Sequence, residues 1–250
     1  MKYFSICTIF KHEEPYIADW VKYHLGIGAE HIWMYNNDSP DKSADIARDV
    51  GKHQVTVHRC PGHPVQHIAY QLCLQTYRLN TRWLLFLDID EYLISFTPIH
   101  EVLKAYEQHP ALCPHWILFG SNGHLNYCPD PVPLRFTRSQ SDVNPHVKSI
   151  VNTTRTFNWI TAHRFVHDAR PVDENHNPIE MLDSTPAGGT ADVLYVAHYF
   201  TKSKEEFTER RSRPRPDTGD YRYNLEEAFA THDRNDRDNF DVRNIWKELK

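Results

Sequence analysis

The sequence predicts an α/β fold, an open and mostly parallel sheet with helices on both faces. Three observations lead there. β-Rich segments at residues 3–10, 31–35, 55–59 and 83–87 alternate with segments whose apolar residues recur at helical spacing. The last of these strands, Trp83-Leu84-Leu85-Phe86-Leu87, is apolar without alternation, as a strand covered on both faces should be. Strands joined through single helices close as right-handed βαβ units, so the series βαβαβαβ gives parallel neighbours.

Each element has its own signal. After the first strand, Glu14-Pro15 opens a helix, since proline is tolerated in a first turn, and Ile17, Trp20, Val21, His24 and Leu25 follow at helical spacing until Gly26 and Gly28 end it. The second strand runs into Asn36-Asn37-Asp38-Ser39-Pro40, a turn-forming run, and a short helix from about Asp41 stops at Gly51. Pro61 and Pro64 frame the next start. A helix over residues 65–79 packs through Val65, Ile68, Ala69, Leu72 and Leu79. Beyond Glu107 the pattern loosens: strands are expected at 116–119, 147–151, 162–166 and 193–200, as an irregular acceptor-side region on the same sheet. No linker, repeat or low-complexity tract divides the chain, which reads as one domain with a first half (1–95), a second half (96–211) and a helical tail (212–250).

Composition narrows the function. With 40% hydrophobic and 24% charged residues, 250 residues are enough for a sizeable core. No apolar run exceeds five residues and the mean hydropathy is −0.63, so no membrane span is expected. The N-terminus reads poorly as a signal peptide. Five cysteines, odd in number and without a CxxC pair, argue against a disulfide framework and fit a reducing cytoplasm. A net charge of −5 gives no global basic field, so nucleic acid is not the expected partner.

In open parallel sheets ligands sit at the carboxyl ends of the strands, which directs attention to residues just after 10, 35, 59 and 87. Asp88-Ile89-Asp90-Glu91 follows the buried strand directly. Two carboxylates one residue apart can both reach a hard divalent cation that shares its sphere with phosphates; the bland alternative is a solvated turn. Asn36-Asn37-Asp38 offers groups for a base or ribose, or forms an ordinary Asx turn. His198 at a strand end, with Lys202 four residues on, could complete a metal shell and hold phosphate charge. The pairs His63/His67 and His163/His167 have a spacing that suits zinc only on helices, and no third ligand is evident. Arg210, Arg211, Arg213 and Arg215 sit in a stretch, 201–250, with twelve Lys/Arg and twelve Asp/Glu, and read as a solvated mixed surface, with phosphate or phospholipid-headgroup binding as the lesser alternative.

The ordered series Thr8-Ile9-Phe10-Lys11-His12-Glu13-Glu14, Trp20…Tyr23-His24, Tyr35-Asn36-Asn37-Asp38-Ser39-Pro40-Asp41, Asp88-Ile89-Asp90-Glu91-Tyr92, Trp116…Phe119-Gly120-Ser121-Asn122-Gly123-His124, Lys148-Ser149-Ile150-Val151 and His198-Tyr199-Phe200-Thr201-Lys202-Ser203 resembles the family 2-like and family 92 glycosyltransferases of the GT-A fold. The resemblance spans roughly residues 3 to 211 and implies that 1–95 is the nucleotide-binding half and 96–211 the acceptor-side half. It implies inverting transfer of a sugar from a nucleotide-sugar donor, with UDP favoured, to a saccharide or glycolipid acceptor, in bacterial surface polysaccharide or lipopolysaccharide synthesis, with possible peripheral contact at the inner face of a membrane. It further implies Mn²⁺ or Mg²⁺ on Asp88 and Asp90 with His198 as third ligand, Lys202 on the diphosphate, and Thr8, Phe10, Lys11, Asn37, Asp38 and Gln66 along the nucleotide. For the base that accepts the acceptor proton, His124 and Asp183 are the candidates. Two alternatives stand beside this reading. Leu84 to Asp90 also resembles the nucleophile strand of haloacid-dehalogenase-like phosphatases, with Asp88 as nucleophile, and an inactive nucleotide-sugar-binding module would share the same residues.

Overall fold

The structure, a computed structural model, describes residues 1–180, 189–214, 219–221 and 224–249. The first half follows the expected alternation: β1 (Lys2–Phe10), α1 (Ile17–Gly26), β2 (His31–Asn36), α2 (Ser43–Gly51), β3 (Val55–Arg59), α3 (Gln66–Tyr77) and β4 (Thr81–Phe86). The second half contributes β5 (Glu91–Ser95), α4 (Ile99–Lys104), β6 (Ala111–Leu112), β7 (His115–Leu118), α5 (Val132–Arg135), β8 (Arg138–Ser139), β9 (Asn144–Val147), β10 (Ile150–Asn152), β11 (Thr156–Trp159), β12 (Phe165–His167) and β13 (Leu194–His198). The described tail holds α6 (Lys204–Arg211), α7 (Leu225–His232), β14 (Arg237–Asp238) and α8 (Asp241–Glu248).

The central sheet has the order β3-β2-β1-β4-β10-β6, with β3, β2, β1 and β4 mutually parallel and β10 antiparallel to β4 and β6. Strand alternation sends Phe4, Ile6, Ile32, Met34, Trp83 and Leu85 into one core with Ile17, Trp20 and Val21 of α1. Cys7, Trp33, Tyr35, Leu84 and Phe86 point the other way, onto Ala69, Tyr70, Cys73 and Leu74 of α3. Because helices cover both faces, the β4 segment carries no polar alternation.

The second half departs from expectation in instructive ways. It does not simply extend the first sheet but builds a second one, β5-β13-β7-β9. Residues 147–151 are not one strand: β9 ends at Val147 on β7, β10 begins at Ile150 on β4, and Lys148-Ser149 crosses between the two sheets. Of residues 162–166 only Phe165 and Val166 are strand, because 161–164 form the turn of the β11–β12 hairpin, closed by hydrogen bonds between Thr161 and Arg164. Ile68, Leu72 and Leu79, expected to pack, lie exposed, since α3 already buries Ala69, Tyr70, Cys73 and Leu74 on its other side. In the tail, Val242 and Trp246 of α8 join the larger core.

His24 ties α1 to the second sheet. Its Nδ1–H donates to the Trp20 carbonyl at 2.9 Å and its Nε2 accepts the Leu93 N–H at 3.4 Å, an arrangement only the neutral ring can make. Burial pushes its pKa down to about 3. A histidine depressed on folding contributes stability that is present above the unfolded value near 6.5 and lost as pH falls. Urea midpoints should therefore fall between pH 6.5 and pH 4, and His24→Gln, which keeps one donor and one acceptor, should flatten that slope by up to about 1.4 kcal/mol per pH unit.

Candidate functional site

A cavity of about 740 Å³ opens where β1, β2 and β4 end and β7 and β13 of the second sheet begin to face them. Phe10, Lys11, Asn37, His63 and Gln66 form the wall on the β1–β2 side. Trp116, Asn144, His146 and His163 form the opposite wall, and Arg210, Arg211 and Arg213 reach in from α6 and its exit. Asp88 and Asp90 lie between them.

The turn after β4 is organised by a buried lysine. Lys148, on the crossing between sheets and wholly buried, places Nζ 3.0 Å from Asp88 Oδ2 and 3.0 Å from Glu91 Oε2. Glu91 Oε2 in turn accepts the Asp88 backbone N–H at 2.9 Å, and Asp88 Oδ1 accepts from Gln66 Nε2 at 3.0 Å and from the Tyr70 hydroxyl at 3.3 Å. Burial works against the Lys148 charge, yet Asp88 and Glu91 hold its pKa above the ordinary lysine range. Burial also pushes Glu91 up to about 8 against the pull of Lys148, whereas the same ammonium outweighs burial at Asp88 and keeps it below its ordinary value.

Asp90 is treated differently. Arg210 Nη1 stands 2.8 Å from Oδ2, and Arg211 Nη2 and His198 Nε2 stand at 3.7 and 3.5 Å, so that Arg210, His198 and Lys202 override burial and hold the carboxylate well below the usual range. Oδ2 is thus held by ion pairs, whereas Oδ1 of Asp90 has no hydrogen-bond partner, and Glu13 Oε2, Glu91 Oε1 and His198 Nδ1 are also buried without one. Unsatisfied buried groups concentrated around one cavity call for an ion or ligand. Among the described residues no three His, Cys, Asp or Glu side chains form a ready-made metal cage. Asp90 and His198 nevertheless fit a divalent cation of the kind held by one or two protein ligands plus substrate phosphates, while both oxygens of Asp88 are already engaged by the protein.

The structure thus brings Phe10, Lys11, Asn37, Gln66, Asp88, Asp90 and His198 to one cavity. The Asn37 amide nitrogen donates to the carbonyls of Cys60 and Gly62, clamping two loops, and Gln66 holds Asp88. Thr8 is buried in the sheet behind the wall, and Asp38 pairs with Arg59 at 2.9 Å outside it. Lys202 does not line the cavity: it is buried, with Nζ 4.5 Å from the Tyr16 ring, and burial brings its pKa down to about 8. The cationic side chains that do line the cavity are Arg210, Arg211 and Arg213, from the cluster for which the sequence favours a solvated surface over phosphate or headgroup binding. His124 is exposed on a separate loop against the edge of Phe136, away from the cavity, and Asp183 lies outside the described residues, as does Arg215. The zinc pairs are not assembled, since His63 sits in a loop, His163 in a hairpin turn, and His167 bonds Thr156.

Removing the central ammonium strands the buried carboxyl group of Glu91 and the half-buried one of Asp88. Lys148→Met should cost about 3–5 kcal/mol in urea unfolding, and adding Glu91→Gln should recover part of that loss in a double-mutant cycle.

Comparison with known proteins gives the family of the chain. The family model described as Glycosyltransferase family 92 matches residues 2–222. A glycosyltransferase family 92 protein of Oryza sativa subsp. japonica is 26% identical over 43% of this chain, and one of Arabidopsis thaliana is 25% identical over 38%. Those segments cover only 19% and 16% of the relatives' own lengths. Among solved structures, S. aureus TarS 1-349 in complex with UDP is 18% identical with a TM-score of 0.43, covering 62% of this chain and 47% of that one. With the family model spanning both halves of the cavity and most of the chain, the protein belongs to glycosyltransferase family 92.

Proposed function

We propose that the chain transfers a sugar from a nucleotide-sugar donor, with UDP as the favoured nucleotide, to a saccharide acceptor, by a single inverting displacement. The observation that carries this reading is that Asp90 and His198, with Oδ1 and Nδ1 free of hydrogen bonds, stand with two arginines in one cavity at the strand ends. Glycosyl transfer builds negative charge on the departing diphosphate, and preorganised cations aimed at that charge lower the barrier. Arg210 and Arg211 stand in that role. In the free chain Arg210 rests on Asp90 and lies 3.9 Å from Glu13; with donor present its guanidinium turns to the phosphates. Asp90 and His198 would hold Mn²⁺ or Mg²⁺, which supplies further positive charge to the same leaving group. Asp88, fixed by Lys148, Gln66 and Tyr70, presents a steady carboxylate to the ribose side.

Inversion needs a base for the acceptor hydroxyl. His163 fills that role in this reading. Its Nδ1–H donates to the Val147 carbonyl at 2.8 Å, which leaves Nε2 as the acceptor, and burial brings its pKa down to about 4, near that of an ordinary carboxylate base. His163 and His198 both pack against the indole of Trp116, at 5.1 and 4.3 Å between ring centroids, so the base side and the donor side share one aromatic wall. Family membership leaves the phosphatase alternative without support.

Thermal-shift measurements against nucleoside diphosphates test the donor reading. UDP should raise the midpoint in the presence of Mn²⁺, and Asp90→Ala should fold normally yet lose the Mn²⁺-dependent part. A wild-type chain indifferent to every nucleotide would remove the proposal. For the base, His163→Gln should lower kcat by about 10²–10⁴ while leaving the UDP shift intact, with partial rescue by added imidazole.

A further inference from the structure

The outer side of α3 and the β11–β12 hairpin form one exposed apolar surface. The two elements are stitched side by side: Gln71 Oε1 accepts the Trp159 N–H at 2.6 Å, Gln71 Nε2 donates to Asn158 Oδ1 at 3.3 Å, and His67 lies 5.7 Å from the Trp159 ring. Of thirteen exposed large hydrophobic residues among those described, five belong here: Ile68, Leu72, Phe157, Ile160 and Val166, each between 40% and 46% exposed. Single exposed apolar residues are ordinary, but a cluster on adjoining elements marks an interaction surface.

Charge selects the partner. Residues 66–77, the whole of α3, contain no Asp, Glu, Lys or Arg. The longer segments 50–87 and 143–167 carry seven Lys/Arg and no Asp or Glu, in a chain whose net charge is −5. Lys148 is buried and neutralised by Asp88 and Glu91; at the surface, carboxylates reach these segments from their rim, as Asp38 on Arg59, Glu107 on Arg82 and Asp168 on Arg155. An anionic plane would therefore draw this face inward and repel the remainder of the molecule. No described helix is long and apolar enough to cross a membrane, so contact would be interfacial, with Phe157 and the half-buried Trp159 at the headgroup level.

Position gives the contact a purpose. Val65 and Gln66 at the start of α3, and Ala162 and His163 at the hairpin turn, line the cavity itself. The apolar surface is continuous with its mouth.

We propose that this face docks on an anionic phospholipid bilayer and so presents a lipid-borne acceptor to the cavity. Docking stands on the surface alone; the role of the acceptor rests on the glycosyl-transfer reading. The full chain should co-sediment with phosphatidylcholine vesicles containing phosphatidylglycerol about tenfold more strongly than with phosphatidylcholine alone, and high salt should weaken the binding. The double variant Leu72→Glu, Phe157→Glu should reverse that preference while keeping its thermal midpoint and its shift with UDP and Mn²⁺. Equal sedimentation of wild type and variant, or none with anionic vesicles, overturns the docking surface. A wild-type dimer in light scattering that the variant dissociates, without vesicle binding, would reassign the face to self-association. Vesicle binding that persists when UDP gives no shift would retain the docking surface and reject the transferase.

Discussion

The buried ammonium of Lys148, bonded at 3.0 Å to both Asp88 and Glu91, is the constraint on which the cavity depends. Asp88, Asp90 and Glu91 follow one another at the end of β4, and packing three carboxyl groups into a turn with so little solvent would be prohibitive without a compensating charge. Lys148 can supply it only because the chain crosses from one sheet to the other at that residue. The same crossing sends β9 to the second sheet and β10 to the first. Charge compensation and topology are thus one feature.

The division of labour between the two carboxylates follows. Asp88 is saturated by Lys148, Gln66 and Tyr70 and behaves as a fixed part of the wall. Asp90 is ion-paired through Oδ2 with Arg210, Arg211 and His198, while its Oδ1 has no hydrogen bond and so retains capacity for something that enters the cavity. A pair of groups with such different satisfaction, one residue apart, is what a binding site requires and a purely structural turn does not.

The molecule also separates its charges by location. Overall it is acidic, yet the α6 arginines crowd the cavity and the α3–hairpin face carries no carboxylate of its own. Net charge describes solubility and long-range attraction; the local field in a cleft is set by which few side chains are buried there. Second-half residues such as Trp116, His146 and His163 then shape the wall opposite the nucleotide side.

The sequence by itself determined the first half of the protein. Periodicity, turn residues and the unbroken apolar run ending in Asp88 are local properties, and the parallel sheet β3-β2-β1-β4 follows from them by the rules for βαβ units. His198 was legible for the same reason, as a polar residue closing an apolar strand. Tertiary structure alone decided what depends on distant partners. Arg210 and Arg211 look solvated among equal numbers of opposite charges, and only the packing of α6 against Asp90 makes them part of the site. Lys148 sits in an apparently continuous strand until two sheets compete for its neighbours. Ile68 and Leu72 keep helical spacing, but α3 has a single partner layer, so an apolar residue on its far side meets no core. Periodicity records which residues share a face; it cannot record what, if anything, covers that face.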